Sequence, residues 1–171
     1  QPGSRSYERT WIRDGSLTSS ALLRLGETQA VRDFIRWFAP YQYANGKAPC
    51  CVDARGADPV PEHDSSGELI YLVTEYYRYT GDRAFADSLW PRVAAAAGYL
   101  DTLRAQRRTD DWRTAGGGRF HGLLPPSISH EGYSAKPMHS YWDDFWALRG
   151  YKDAAFLAAE LRKPERAAIE R

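Results

Sequence analysis

Two kinds of apolar pattern alternate along this chain. In the first, Val31, Phe34, Ile35 and Phe38 form one stripe at helical spacing, while Arg32, Asp33 and Arg36 fall on other sides. Leu89, Val93, Ala96, Ala97, Leu100 and Leu103 repeat that period, with a bend expected near Pro91, and so do Ala154, Leu157, Ala158 and Leu161. These three segments predict outer helices with one wet face. The second kind has no wet face. After about Asp14 come small residues, among them Gly15, Ser16, Thr18, Ser19, Ser20 and Ala21. Leu69-Ile70-Tyr71-Leu72-Val73 is apolar nearly all round and follows Ser65-x-x-Glu68, which reads as a capping box. A third such segment, from Ser140 or Tyr141, carries Trp142, Phe145, Trp146 and Leu148. Helices of this kind predict an inner layer. Strand-period alternation is absent over any useful length, so the predicted fold class is all-α.

Short turns punctuate the pattern at Leu25-Gly26-Glu27, Thr80-Gly81-Asp82 and Arg149-Gly150-Tyr151. Each has a helical pattern on both sides and a Gly suited to a C′ cap. The prediction is three αα-hairpins, about six helices, in a single domain over residues 1–171. Connections within hairpins are tight, whereas residues 45–63 and 109–139 form long loops between them. If the inner helices run parallel, both long loops fall at one end, and that rim carries Asp14, Asp64 and Asp143.

Charge and composition narrow the partners. With 23 basic and 22 acidic residues the net charge is +1, which gives no electrostatic reason to expect nucleic acid or an anionic membrane. The longest apolar runs, Leu69 to Val73 and Val93 to Ala97, are too short to span a bilayer. The chain opens Gln1-Pro2-Gly3-Ser4 without a Met, and no compartment is read from it. The adjacent Cys50-Cys51 pair is expected to be two free thiols in a loop. His63, His121, His130 and His139 show no zinc-ligand spacing, and Gly116-Gly117-Gly118 lacks the Lys-Ser/Thr of a phosphate loop, so no metal and no cofactor are expected. Six Trp, eleven Tyr and six Phe are more rings than a small helical core needs. They either stack on the C–H faces of sugars or fill wide gaps between helices.

The starts of the inner helices hold the candidate chemistry. The first opens Trp11-Ile12-Arg13-Asp14, the second Glu62-His63-Asp64 and on to Glu68, the third Tyr141-Trp142-Asp143-Asp144. Glycosidic cleavage needs a proton donor, a second carboxylate, and rings to hold the sugar. Arg13 and Asp14 can grip vicinal hydroxyls from donor and acceptor sides. Asp64 and Glu68 can equally be a helix cap and its capping-box partner. Asp143 and Asp144, adjacent among Trp142, Phe145 and Trp146, should be pushed toward higher pKa by burial and mutual repulsion.

These residues resemble a family. Tyr7-Glu8-Arg9-Thr10-Trp11-Ile12-Arg13-Asp14, His63-Asp64-Ser65-Ser66-Gly67-Glu68-Leu69 and Tyr141-Trp142-Asp143-Asp144-Phe145-Trp146 are similar to segments of the six-hairpin glycosidases of the glucoamylase and glycogen-debranching type. The resemblance implies half of an (α/α)6 toroid and cleavage of α-linked glucose-like oligosaccharides or polysaccharides with inversion. It implies Asp143 as the acid and Asp144 as its substrate-binding neighbour, with Trp11, Arg13, Asp14, Asp64, Glu68 and Trp142 around the sugar. Two departures stand out: the family has Glu at the acid position, which leaves Glu131 as an alternative acid or sugar ligand, and its fold has twelve helices. The chain is therefore expected to be part of a larger catalytic toroid, completed by the remaining half or by a second copy, and to turn over little substrate alone. An epimerase or lyase on the same toroid, or a helical-repeat module that binds carbohydrate or protein without catalysis, are the other readings.

Overall fold

Gly26 and Gly81 end helices as their settings predict. The computed structural model describes residues 8–129 and 135–169. Helix α1 (Ile12–Arg24) closes with Gly26 at φ +86°, where the Gly26 amide donates to Leu23 (3.1 Å) and the Glu27 amide to Leu22 (3.0 Å). That is a Schellman pair, and it feeds directly into α2 (Thr28–Phe38). Helix α3 (Ser65–Thr80) stops at Gly81, φ +65°, and the next residue, Asp82, accepts from the Phe85 amide at 3.0 Å to start α4 (Arg83–Ala105). Two αα-hairpins result.

The third hairpin is not formed. Gly150 lies inside one continuous helix, α6 (Tyr141–Leu161), so the two helices expected on either side of it are the two halves of one. The Gly serves close approach instead of a turn. A Cβ on Gly150 would stand 2.9 Å from the Gly67 Cα, and one on Gly67 would stand 2.2 Å from the Trp146 carbonyl oxygen. Two facing glycines let the α3 and α6 backbones nearly touch. Two short helices, α5 (Asp110–Thr114) and α7 (Arg166–Ile169), and the 3-10 turns Ala39–Tyr41 and Ala115–Gly118 are the other helical elements among the described residues.

Helix α3 is the axis of the molecule, packing on α1, α4 and α6, and is buried continuously from Ser65 to Tyr76. Helix α4 returns antiparallel to it, whereas α1 and α6 lie parallel. Arg13, Ser20 and Arg24 of α1 meet Asp64, Tyr71 and Tyr79 in order, and Trp142, Trp146 and Asp153 of α6 meet Asp64, Tyr71 and Arg78 in order. The starts of α1, α3 and α6 therefore share one end. Helices α2 and α4 contribute the stripes Val31, Ile35, Phe38 and Leu89, Val93, Ala96, Leu100 to one core. The α1 and α6 helices are not buried all round as their lack of a wet face suggested. Each flanks α3 on one side and leaves apolar groups bare on the other: Leu17 on α1, with Trp37 nearby on α2, and Tyr141, Phe145 and Leu148 on α6.

Both long connections fold over the rim. The first contains β2 (Cys51–Asp53) and β3 (Gly56–Ala57), which join β1 (Thr10–Trp11) in an antiparallel sheet of order β1-β2-β3. Cys50 and Cys51 are free, as expected, but Cys51 belongs to a strand and both are buried. The second lays Ser127 against Met138 through reciprocal backbone bonds of 3.0 and 2.8 Å. Among the described residues no helix is long and apolar enough to cross a membrane.

Candidate active site

The first turn of α3 organises the site. Asp64 precedes the helix, but its side chain caps nothing. One oxygen, Oδ2, accepts the Trp142 indole N–H at 2.9 Å and faces the Arg13 guanidinium at 3.5 Å, while Oδ1 accepts the Ser65 hydroxyl at 3.3 Å. The three helix starts thus converge on one carboxylate. The capping box read from Ser65-x-x-Glu68 does not form either. Glu68 turns into the protein, where it is fully buried and neither oxygen finds a donor among the described residues. Burial, then the charge of Asp64, pushes its carboxyl well above the ordinary range, and Arg13 only partly offsets this.

Asp143 sits across from Asp64 at the start of α6, 4% exposed, and accepts the Ser127 hydroxyl. Burial raises its pKa to about 7; the Ser127 bond opposes this, and Asp64, Asp144 and Glu62 add to it. Trp142, 46% exposed, lines the pocket beside it, and the returning segment lays Ser127 against it. Together Arg13, Glu62, Asp64, Trp142 and Asp143 line a pocket of 260 Å³, closed on one side by Ile128 and Ser129. Three carboxyls and one guanidinium in one small concavity can bind hydroxyls and hold a proton on a carboxyl near neutral pH.

Other residues expected here are placed elsewhere. Asp144 is rotated about 100° from Asp143 around α6, and its Oδ1 accepts the Leu124 amide at 2.9 Å. It lines a separate 480 Å³ cleft with Leu148 and Tyr151. Burial raises its pKa, while the Leu124 amide and His139 lower it. Asp14 and Trp11 line a third cavity of 680 Å³ between α1 and α2, with Phe34 and Trp37. Glu131 lies outside the described residues. Glu62 and Ser127 carry no role in the motif reading, yet Ser127 bonds to Asp143 and Glu62 lines the same pocket, its charge adding to the Asp143 shift. His63 is buried behind them, its pKa lowered to about 4 by burial and then by Lys47, and so stays neutral.

An all-α protein with an acidic, partly protonated pocket at the convergent starts of three parallel helices is the class that fold and site define. No protein-family model matches the chain, and no solved structure matches it. Over 96 residues the chain is 30% identical to an uncharacterized glycosyl hydrolase of Methanocaldococcus jannaschii. The match covers 55% of this chain and 16% of that protein. The chain thus spans a small part of the relative it resembles, and the likeness is to a glycosyl hydrolase at that coarse level.

Proposed function

We propose that this chain supplies the sugar-gripping and proton-donating side of a glycoside hydrolase that cleaves α-linked glucose-like sugars with inversion. Asp143 carries the reading: a buried carboxyl with its pKa raised to about 7, in a pocket shared with Asp64, Arg13 and Trp142. The similarity to a glycosyl hydrolase supports it. In the reaction, Asp143 gives its proton to the glycosidic oxygen as the C–O bond breaks. A second carboxylate takes a proton from water, whose oxygen bonds to the anomeric carbon from the opposite face. Arg13 and Asp64, with the Trp142 ring, hold the sugar at the cleavage point. The second carboxylate belongs to a further part of the toroid, packed against the apolar groups left bare on α1 and α6.

Replacing Asp143 with Asn keeps the shape and removes the proton. In the assembled enzyme, Asp143→Asn should lower kcat/KM by roughly 10² to 10⁴ on glycosides with poor leaving groups, the usual worth of a general acid. Aryl glycosides with acidic phenol leaving groups, which need little protonation, should lose much less. Equal losses on both substrate types would remove Asp143 from the role and make Glu131 the next candidate.

A further inference from the structure

A second cluster, apart from the acidic pocket, lies on the small sheet. The β2–β3 hairpin pairs Val52 with Ala57 and Asp53 with Gly56, which leaves Cys51 and Asp58 opposite each other one step further out. The Asp58 amide donates to the Cys51 carbonyl at 3.0 Å, and the Asp58 Oδ2 lies 3.9 Å from the Cys51 Sγ. Cys50, at the bend before β2, turns its Sγ to 3.6 Å from that of Cys51. All three donor atoms fall within 4.8 Å of one another. Two sulfurs on one tetrahedral zinc, each at about 2.3 Å, stand roughly 3.8 Å apart, so the sulfur–sulfur spacing found here suits a shared ion.

We propose that Cys50, Cys51 and Asp58 bind one zinc ion, with water in the fourth position. Two thiols and a carboxylate make a donor set suited to zinc and poor for magnesium or calcium. Disulfide closure between adjacent residues is sterically hard, whereas chelation asks the two sulfurs for almost no movement and the Asp58 carboxylate for a small side-chain shift toward them. On binding, each thiol gives its proton to solvent and each sulfur forms one bond to the ion. Two thiolates and one carboxylate around a divalent ion leave one negative charge. The Arg9 guanidinium, 3.2 Å from Asp58 and 4.0 Å from the Cys51 sulfur, balances it. The outer shell is also in place, because the Val60 amide donates to the Asp58 Oδ1 at 3.0 Å and fixes the carboxylate's orientation. The ion would tie the sheet to α1, since Cys51 pairs with Trp11 and the Cys50 carbonyl accepts the Ile12 amide at 3.0 Å. This site stands independently of the glycosidase reading.

The test uses the full chain, reduced and stripped of metal, titrated with zinc against a chromophoric chelator. Uptake of one zinc per chain is expected, with a rise in melting temperature that the chelator reverses. Cobalt in place of zinc should give thiolate-to-metal charge-transfer absorption. Cys51→Ser should weaken uptake by more than about 100-fold, beyond the 10- to 100-fold cost of losing an outer-shell partner, and Asp58→Asn should weaken it less. No uptake, or uptake unchanged in a Cys51→Ser variant that keeps the wild-type circular dichroism, overturns the proposal. If that variant does not fold, the wild-type cobalt spectrum decides, because a spectrum without the charge-transfer bands means an adventitious ion only.

Discussion

The α3–α6 interface has a polar cluster at each end, and the two are built on opposite plans. At the far end Glu75 and Asp153 are buried, and two guanidiniums serve them. Arg78 reaches Glu75 and Asp153 at 2.7 Å each, and Arg149 reaches Asp153 at 2.7 Å and Glu75 at 3.3 Å. Charge is balanced and every carboxylate is bonded. At the rim end Glu62, Asp64 and Asp143 line one pocket with Arg13, and Glu68 is buried beside Asp64. There burial and the neighbouring carboxyls push the pKa of Glu68 well above its ordinary value and that of Asp143 up to about 7. Between the ends, Gly67 and Gly150 bring the same two helices together. One helix pair thus carries a paired, charge-balanced cluster at one end and a carboxyl-rich pocket at the other, and the difference lies in how the buried carboxyls are compensated.

Stability against pH should separate the ends most sharply. The Asp143 pKa rises from 3.8 to about 7 on folding. The folded state therefore binds more protons than the unfolded one in that window. The contribution of Asp143 to stability is fullest below about pH 4 and is lost as pH rises toward 7, by about 4 kcal/mol for a shift of that size. Glu68 and Asp144 are shifted in the same direction. Urea unfolding from pH 4 to pH 7 should show this fall, and Asp143→Asn should flatten it. A wild-type stability that climbs over the range would break the comparison.

Next in size is the charge-balanced end. Arg78→Met leaves Asp153, 1% exposed, with Arg149 alone, and should cost about 3 kcal/mol at neutral pH, read as a lower urea midpoint. A smaller effect is expected midway. Gly67→Ala drives a Cβ into the Trp146 carbonyl, so α6 must move off α3. A net loss of about 2 kcal/mol should remain after the gain in helix propensity, measurable as a drop in melting temperature.

How much of this was legible follows the range of each signal. The caps at Gly26 and Gly81 and the stripes of α2 and α4 act within a few residues, so the chain displays them. Gly150 offers the same local cue as those two, and only its partner Gly67, far away in sequence, makes it a packing residue. Ser65-x-x-Glu68 failed for a like reason: Glu68 is drawn inward by the site rather than back toward the cap. The sheet escaped notice because strands of two or three residues have no period to read. The Cys50–Cys51–Asp58 cluster went with it, since hairpin register, not spacing, assembles it. That Asp143 and Asp144 stood at a helix start was plain. Which of them would enter the pocket depended on the 123–129 segment, which folds back over α6.

The smallest expected effect on stability is the most telling about purpose. Trp142 gives one hydrogen bond to Asp64 and is 46% exposed, so it contributes little burial. Trp142→Phe keeps a ring and removes the N–H. Asp64 retains Arg13 and the Ser65 hydroxyl, so the loss should be under about 1 kcal/mol. Asp64 and Arg78 are fourteen residues apart along α3, roughly 21 Å. At that distance the change should add to Arg78→Met without coupling. Sugar binding should divide the two differently. Under the proposed function, losing the indole N–H leaves Asp64 Oδ2 with Arg13 alone and shrinks the ring at the pocket, so affinity for gluco-oligosaccharides, measured calorimetrically, should fall several-fold. Arg78→Met, assayed where it is still folded, should leave that affinity unchanged. The contrast between the ends then becomes a crossed pattern: stability without binding at Arg78, binding without stability at Trp142. Equal loss of binding in both variants would mean that the rim is held in shape by the far end. The two clusters would then be one cooperative unit, and the way their carboxyls are compensated would no longer distinguish the two ends.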